Sequence, residues 1–396
     1  MKRLLIINTL YSPNIGGGAE IICQEQAEAL AVRGYYVSVL TTGGANRKVM
    51  SDTVNGLTVY RVGIRNMYWH FEKRNGRLVH LIWHLQDIYN SAMMAGVEWV
   101  LNKEKPDVVI CHNISGLSIS IWKVIKRRNI PIIEVLHDQY FRCPNSNAFK
   151  HGKPCEGQCV LCRLMRLPHR YMSNQVDVVI GVSRFVLDSL ICLGYFARSC
   201  KKVIHNARNI TEPQQYLIWN GNEPLRLGYI GTLSEVKGVE WLIRTFMKMN
   251  INATLTIAGR GDTQDYESYL HNLAYGDSRI NFVGYVKQAE HYANIHLSVI
   301  PSRWPDTFPT VAFESCAYHV PVIATDCGGL PEIIQSGING VIVDASDIDS
   351  LSKAIMYIYD NPAILASMAL RARDTVEEMI DFEGWIDKYE EIIESI

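Results

Sequence analysis

The chain has 396 residues, 48% hydrophobic and 20% charged, with a formal net charge of −1. That length exceeds what one hydrophobic core commonly accommodates, and the composition has no disordered bias, so two folded domains are expected. No apolar stretch reaches membrane-spanning length without a charge, and residues 1–10 read as a first strand and not as a leader, so a cytoplasmic protein is expected.

Strands and helices alternate throughout, the pattern of doubly wound α/β layers. RLLIINTL opens a buried strand, followed by a Gly loop, a helix over 21–33 and the strand YYVSVLTT. PDVVICH, PIIEVLHD and VDVVIGVS are further strands, with His112, His137 and Ser183 at their C-terminal ends, where ligands bind in open sheets. Residues 209–223, NITEPQQYLIWNGNE, read as a linker. LRLGYIGT restarts the pattern at Leu225, which continues through TLTIAGRG and INFVGYV to NIHLSVI. The last segment, 381–396, is an amphipathic helix with Trp385, Tyr389, Ile392 and Ile393 on one face.

The stretch 301–332 carries the most chemistry, because it sets Asp306 and Glu314 eight positions apart across a strand-to-helix junction. NIHLSVI fills a buried parallel strand and ends at Pro301 and Ser302, where a loop begins. A helix over 310–318 follows Pro309, and its first amides, at Thr310 and Val311, lack intrahelical partners and suit phosphate oxygens. Asp306 precedes those donors, while Glu314 lies about one turn inside the helix, where its carboxylate can accept two vicinal hydroxyls. Gly328 and Gly329, after the strand PVIAT, would bring the backbone close to a ligand.

The glycines at 16–18 do not announce a dinucleotide. The fingerprint would need a small residue at position 21, which is Ile21, and residues 11–15 separate the strand from the glycines. The second strand also ends in Thr41 and Thr42, with no acid for an adenosine ribose.

With GGGAE at 16–20, the HN pair His112–Asn113, LHD at 136–138, GVS at 181–183, HNA at 205–207 and GYIGTLSEVKG at 228–238, in that order, the 301–332 segment resembles the E-x7-E region of retaining family 4 glycosyltransferases with the GT-B fold. The resemblance covers most of the chain and implies two Rossmann-like domains facing across a cleft. An acceptor-binding domain would span 1–205, a linker 206–224 and a nucleotide-sugar-binding domain 225–380, with the helix 381–396 crossing back onto the first. It implies a metal-independent hexosyltransferase with a nucleoside diphosphate sugar, UDP- or GDP-linked, as donor. Asp306 would contact the donor sugar and Glu314 its ribose. Lys237 and the helix-start amides near Thr310 and Val311 would hold the diphosphate, beside Phe308. Backbone groups around Tyr285 and Val286 would meet the base, and Gly17 and Gly18 would let the backbone approach sugar and diphosphate. His137 would lie beside the reacting sugar. The first acid is Asp306 where the family commonly has Glu, Pro309 replaces its usual Gly, and Thr232 stands where the family often carries Arg, leaving more phosphate neutralisation to Lys237. Two alternatives share the site: a sugar-nucleotide hydrolase or epimerase, and a non-catalytic sugar-nucleotide-binding protein.

Residues 1–205 hold 26 Lys and Arg against 14 Asp and Glu, whereas residues 206–396 hold 13 against 26, so the halves carry +12 and −13. A basic first half suits an anionic inner-leaflet membrane surface and an anionic polyprenyl-diphosphate-linked acceptor; the family resemblance implies a glycan or lipid-linked acceptor in the building of a surface polysaccharide such as O-antigen, capsule or exopolysaccharide. Lys123, Lys126, Arg127 and Arg128, and Arg163, Arg166 and Arg170, interleave with Ile121, Trp122, Leu164, Met165 and Leu167, as in an interfacial helix; solvated helix faces are the alternative. No nucleic-acid partner is expected. Cys143, Cys155, Cys159 and Cys162 fall within twenty residues and could ligate a structural zinc, with free thiols as the alternative; the other six cysteines read as small core residues.

Overall fold

The computed structural model describes residues 1–44, 48–69, 71, 76–150, 152–155 and 157–396. The chain forms two compact units, one of Met1–Ala148, Glu156–Asn206 and Glu383–Ile396, the other of Phe149–Cys155 and Ala207–Phe382.

The first unit is built on an eight-stranded sheet of β1 (Arg3–Asn8), β2 (Tyr36–Gly43), β3 (Met50–Val54), β4 (Leu57–Gly63), β5 (Val108–Asn113), β6 (Ile132–Leu136), β7 (Val178–Gly181) and β8 (Cys200–Val203). Their spatial order is β8-β7-β6-β5-β1-β2-β4-β3. β1 is buried almost end to end, which its run RLLIIN permits, and it pairs in parallel with both β2 and β5. Only β3 runs antiparallel, joined to β4 by Asn55–Gly56 with φ of 47° and 85°, the left-handed pair that a tight hairpin turn requires. The chain builds outward from β1 through β2 to the β3–β4 edge, then returns to lay β5 on the other side of β1. The loops leaving β1 and β5 therefore flank a switch point, the place where open sheets bind ligands.

Helices α1 (Gly18–Val32), α2 (Arg77–Ile88), α3 (Ser91–Glu104) and α4 (Val160–Met172) belong to this unit. α1 begins at Gly18, three residues before the position read from the sequence, because Gly17 is already extended and serves as its N-cap. A final helix, α7 (Phe382–Ser395), buries Trp385, Ile386, Tyr389 and Ile393. Arg33, which follows α1, binds Glu383 at 2.6 Å and Asp387 and Glu390 at 2.8 Å. Lys2 Nζ donates to the carbonyls of Ile393 and Ile396, capping the negative end of the helix.

The second unit is a six-stranded, wholly parallel sheet of β9 (Leu225–Ile230), β10 (Ala253–Ala258), β11 (Ile280–Gly284), β12 (Leu297–Ile300), β13 (Val322–Thr325) and β14 (Gly340–Val343), in the order β11-β10-β9-β12-β13-β14. Its switch point lies between β9 and β12. Helix α5 (Val239–Met247) buries Leu242 and Phe246 in the core, and α6 (Thr310–Ala317) is buried from Ala312 onward. The segment read as a linker belongs partly to this core: Trp219 is buried and its Nε1 donates to the Glu223 carbonyl at 2.7 Å. Burying such a side chain contributes about 1.5–3 kcal/mol, so this segment is anchored and not a loose tether.

Candidate functional site

In the second unit, the loops leaving β9 and β12 meet at the switch point. Gly238 has φ 73°, and a Cβ there would stand 1.9 Å from the Pro301 carbonyl oxygen, so only glycine lets the 231–238 loop lie against the end of β12. The Arg303 amide donates to the Val236 carbonyl at 3.0 Å and fixes the two loops together. That contact brings the Lys237 ammonium onto Asp306 Oδ2 as an ion pair, with the Trp304 ring 4.9 Å from the same nitrogen.

Gly328 and Gly329 serve this loop. A Cβ at Gly328 would meet the Asp306 carbonyl oxygen at 2.0 Å and one at Gly329 that of Thr307 at 2.2 Å, while the Gly329 amide donates to the Asp306 carbonyl at 2.8 Å. The sequence reading assigned their closeness to a ligand; the backbone they approach is that of residues 306–307.

Pro309 is the N-cap of α6, and the amides of Thr310 and Val311 open the helix with no intrahelical carbonyl to bond. The Tyr292 hydroxyl donates to the Val311 carbonyl at 3.0 Å, and Phe308 packs beside Phe313, their ring centroids 5.9 Å apart. One turn in, Glu314 is buried. Arg208 Nη1 donates to its Oε1 at 2.8 Å, and its Oε2 is buried with no protein partner. A carboxylate oxygen left so is costly unless a ligand or water satisfies it. Arg208 was not singled out from the sequence, although it directly follows the HNA triplet. Tyr285 and Val286 follow β11 at Gly284, Tyr285 exposed and Val286 half-buried. Thr232 contributes its carbonyl, which accepts from the Tyr229 hydroxyl at 2.9 Å.

In the first unit, the C-terminal ends of the neighbouring strands β5 and β6 carry a histidine pair. His112 Nδ1 lies 2.8 Å from His137 Nε2, and His112 Nε2 lies 2.8 Å from Gln26 Oε1 on α1. Because the amide oxygen only accepts, His112 carries its proton on Nε2 and accepts from His137. Burial pulls His137 down to about 4 and His112 well below its ordinary value, so both rings are neutral at pH 7. Asp138 is pushed up to about 6 by burial, while accepting from the Tyr140 amide at 2.7 Å. Burial likewise raises Glu20, in the first turn of α1. A Cβ at Gly17 would meet only Glu20 Oε2, at 3.7 Å, and one at Gly18 nothing within 4 Å, so the protein's own packing does not require glycine at either position.

Cys143, Cys159 and Cys162 lie close enough for their thiols to interact. Among the described residues, no group of three or more His, Cys, Asp or Glu side chains is placed to hold a metal ion. Cys143 is buried, and Cys159 caps α4 by accepting from the Cys162 amide at 3.5 Å. Burial, then neighbouring Cys159 and Cys143, push the Cys162 thiol up to about 12.

The first basic cluster follows the alternative of a solvated helix face. Ile121 and Trp122 are fully buried, so their helix is an ordinary core helix with Lys123 and Arg127 outside. α4 is inverted: Met165, Arg166 and His169 face inward, whereas Val160, Leu161, Leu164, Leu167 and Tyr171 are 57–78% exposed. Arg163 and Arg170 are exposed on the same helix. α2 packs against it and exposes Leu78, Leu81 and Leu85. No helix among the described residues is long and apolar enough to cross a membrane.

Residues 16–212 match the family model Glycosyltransferase Family 4, and residues 224–361 match Glycosyl transferases group 1. The chain is 30% identical over 397 residues to a glycogen synthase of Mycobacterium tuberculosis, covering 96% of this chain and 92% of that one. It is 29% identical over 353 residues to a 42.6 kDa protein in the cps region of Klebsiella pneumoniae, covering 88% and 92%. Among solved structures, Anabaena HepE in complex with UDP-glucose superimposes with a TM-score of 0.70 at 19% identity, covering both chains fully. The architecture is GT-B, with two Rossmann-like parallel sheets.

Proposed function

The chain belongs to the glycosyltransferases of group 1 and family 4, and from that premise we propose that it transfers a hexose, with retention, from a nucleoside diphosphate sugar to a glycan or polyprenyl-diphosphate-linked acceptor. The observation that carries the donor assignment is the buried, unpartnered Oε2 of Glu314 behind a helix N-terminus and the Lys237–Asp306 pair. A ribose hydroxyl would satisfy that oxygen. The diphosphate would take the Thr310 and Val311 amides and Lys237, and Asp306, exchanging its lysine for a hydroxyl, would hold the sugar. Tyr285 and Val286 would border the base. A UDP-linked donor is supported by the UDP-glucose in the Anabaena neighbour, and a polysaccharide acceptor by the cps region of the Klebsiella relative.

In this reading the acceptor O–H attacks the sugar's anomeric carbon on the face the diphosphate leaves. The bond from that carbon to the phosphate oxygen breaks, and the acceptor's proton passes to that oxygen. Lys237 and the helix amides stabilise the departing charge without a metal. His137, neutral and with its proton engaged by His112, accepts a hydrogen bond from a sugar hydroxyl and is not required as a base, and Gly17 and Gly18 leave room for the sugar. The exposed leucines of α2 and α4, with Arg163 and Arg170 beside them, support peripheral attachment to an anionic membrane surface. The test is turnover of UDP-glucose, UDP-galactose and GDP-mannose by the purified protein with simple glycoside acceptors, in the presence of EDTA. Hexose transfer with the anomeric configuration kept is the expected result; transfer with inversion would remove the retaining assignment. Donor hydrolysis alone, with no acceptor product, would favour the hydrolase alternative, and binding without turnover the non-catalytic one.

A further inference from the structure

Gln26 is a polar residue at a place where packing asks for an apolar one. It lies on the buried face of α1 with Ile22, Cys23, Ala27 and Leu30, and is itself fully buried. Its Oε1 lies 2.8 Å from His112 Nε2. Its side chain also reaches α7, where burial raises the Tyr389 hydroxyl and Gln26 works against that rise, as a donor to the phenolic oxygen does. The amide is therefore held at both ends, its carbonyl on the histidine and its NH2 toward the tyrosine. Burying an amide costs free energy that a leucine of similar size would not, and Gln26 lies behind His112, away from any sugar.

The consequence runs through the histidine pair. Each ring is neutral and carries one proton, so Gln26, His112 and His137 form a chain in which every proton points the same way. With a carbonyl at the inner end, His112 gives its Nε2 proton to Gln26 and accepts that of His137 Nε2 on its own Nδ1. His137 then has an unprotonated Nδ1. A reversed amide would reverse the whole chain and turn that nitrogen into a donor.

We propose that Gln26 is a positioning residue for glycosyl transfer: by fixing the tautomer of His112 it makes His137 Nδ1 a hydrogen-bond acceptor, and so selects at that nitrogen a sugar group with a hydrogen to give, a hydroxyl and not a carboxylate or carbonyl oxygen. An oxygen without a hydrogen would set lone pair against lone pair, a mismatch that a polar site rejects more strongly than a hydrophobic pocket rejects a methylene. The assignment rests on the glycosyl-transfer reading and deepens it, because it adds a residue that touches no substrate and yet decides which group the substrate must present.

The test observes the full-length protein, isotope-labelled on the histidine ring nitrogens, by NMR spectra that tell a protonated ring nitrogen from an unprotonated one. In wild type at neutral pH, His112 and His137 should both be protonated at Nε2 and bare at Nδ1. Gln26→Met keeps the length of the side chain and removes the carbonyl. It should turn both rings into a mixture of tautomers and lower kcat/KM for the nucleotide sugar about tenfold, the scale of one hydrogen bond, while the thermal shift with UDP alone stays that of wild type. A glutamine with only a structural role would cost stability and leave kcat/KM of the folded protein unchanged. The inference is overturned if wild-type His137 carries its proton on Nδ1, or if Gln26→Met keeps either the tautomers or the kcat/KM of wild type. Should the variant fail to fold, the wild-type spectrum decides by itself. Absence of turnover by the wild type with any nucleotide sugar would instead sink the glycosyl-transfer reading, with the tautomer result standing.

Discussion

Arg208 holds one oxygen of the Glu314 carboxylate at 2.8 Å and leaves the other buried and without a protein partner. The ion pair fixes the orientation of the carboxylate, and the bare oxygen is the acceptor that a ribose hydroxyl would find. Removing the arginine leaves a buried charge uncompensated, so Arg208→Ala should destabilise the second unit by about 3 kcal/mol, read from urea denaturation. Replacing both residues with Met should recover most of that stability and still not restore UDP binding. An Arg208→Ala protein as stable as wild type would show that the pair is not what orders this helix.

Lys237 supplies the one side-chain cation that the sequence pattern offered for the diphosphate, since Thr232 stands where the family often has Arg. Lys237→Ala should lower hexose transfer by roughly 100-fold or more, the scale of one lost electrostatic stabiliser. Lys237→Arg should keep part of the rate, because the charge remains while its geometry changes. Asp306→Asn should also raise the donor KM, since it breaks the ion pair and weakens an acceptor for a sugar hydroxyl. Equal kcat values across the series would remove Lys237 from the chemistry.

The leucine face of α2 and α4 gives the membrane reading a direct measurement. Sedimentation with vesicles containing anionic phospholipid should carry wild-type protein down and spare it with purely zwitterionic vesicles. Leu164→Asp with Leu167→Asp should abolish sedimentation without lowering the melting temperature, because both side chains are already in solvent. Equal sedimentation of variant and wild type would reject this face as the contact.

Much of the site was legible because parallel sheets place chemistry at strand ends. The apolar runs at β1, β5, β6 and β12 marked buried strands, and the polar residues that close β5 and β6, His112 and His137, meet at the C-terminal edge of the first sheet. The β3–β4 hairpin was passed over although Asn55–Gly56 is a turn signal, because the short strands beside it carry no long apolar run. Arg208 and Gln26 were illegible for a different reason. Their partners, Glu314 and His112, are 106 and 86 residues away, and a single sequence carries no record of that proximity. The sequence of α4 shows basic residues interleaved with apolar ones, and periodicity does not say which face is buried: Leu164 and Leu167 lie outside with Arg163 and Arg170, whereas Met165, Arg166 and His169 lie inside.

Acid should weaken the fold in a definite window. Burial lowers His84, His137, His291 and His296 to about 4 from 6.5, so between those values the unfolded chain binds their protons and the folded chain does not. Their stabilisation is present at pH 7 and is lost as pH falls through 6.5 toward 4. Asp87 and Asp138, pushed up to about 7 and about 6 by burial, act in the opposite sense, since the folded chain holds their protons. His112 and His169, also lowered by burial, join the first group and Glu20 and Glu134, raised by it, the second, so six histidines stand against four carboxylates and the unfolded chain binds the extra protons. The urea midpoint should therefore fall between pH 7 and pH 5; a midpoint that rises over that interval would contradict the neutral, buried state of these rings.

The most direct test of the donor site is the thermal shift of wild-type and Glu314→Ala protein with UDP, GDP, ADP and NAD at matched concentrations, because a ligand that binds only the folded state raises its melting temperature. A selective rise with UDP in wild type, reduced or absent in Glu314→Ala, is the expected result. A rise with NAD alone, or an undiminished rise with UDP in the variant, would contradict a nucleotide-sugar site built on Glu314.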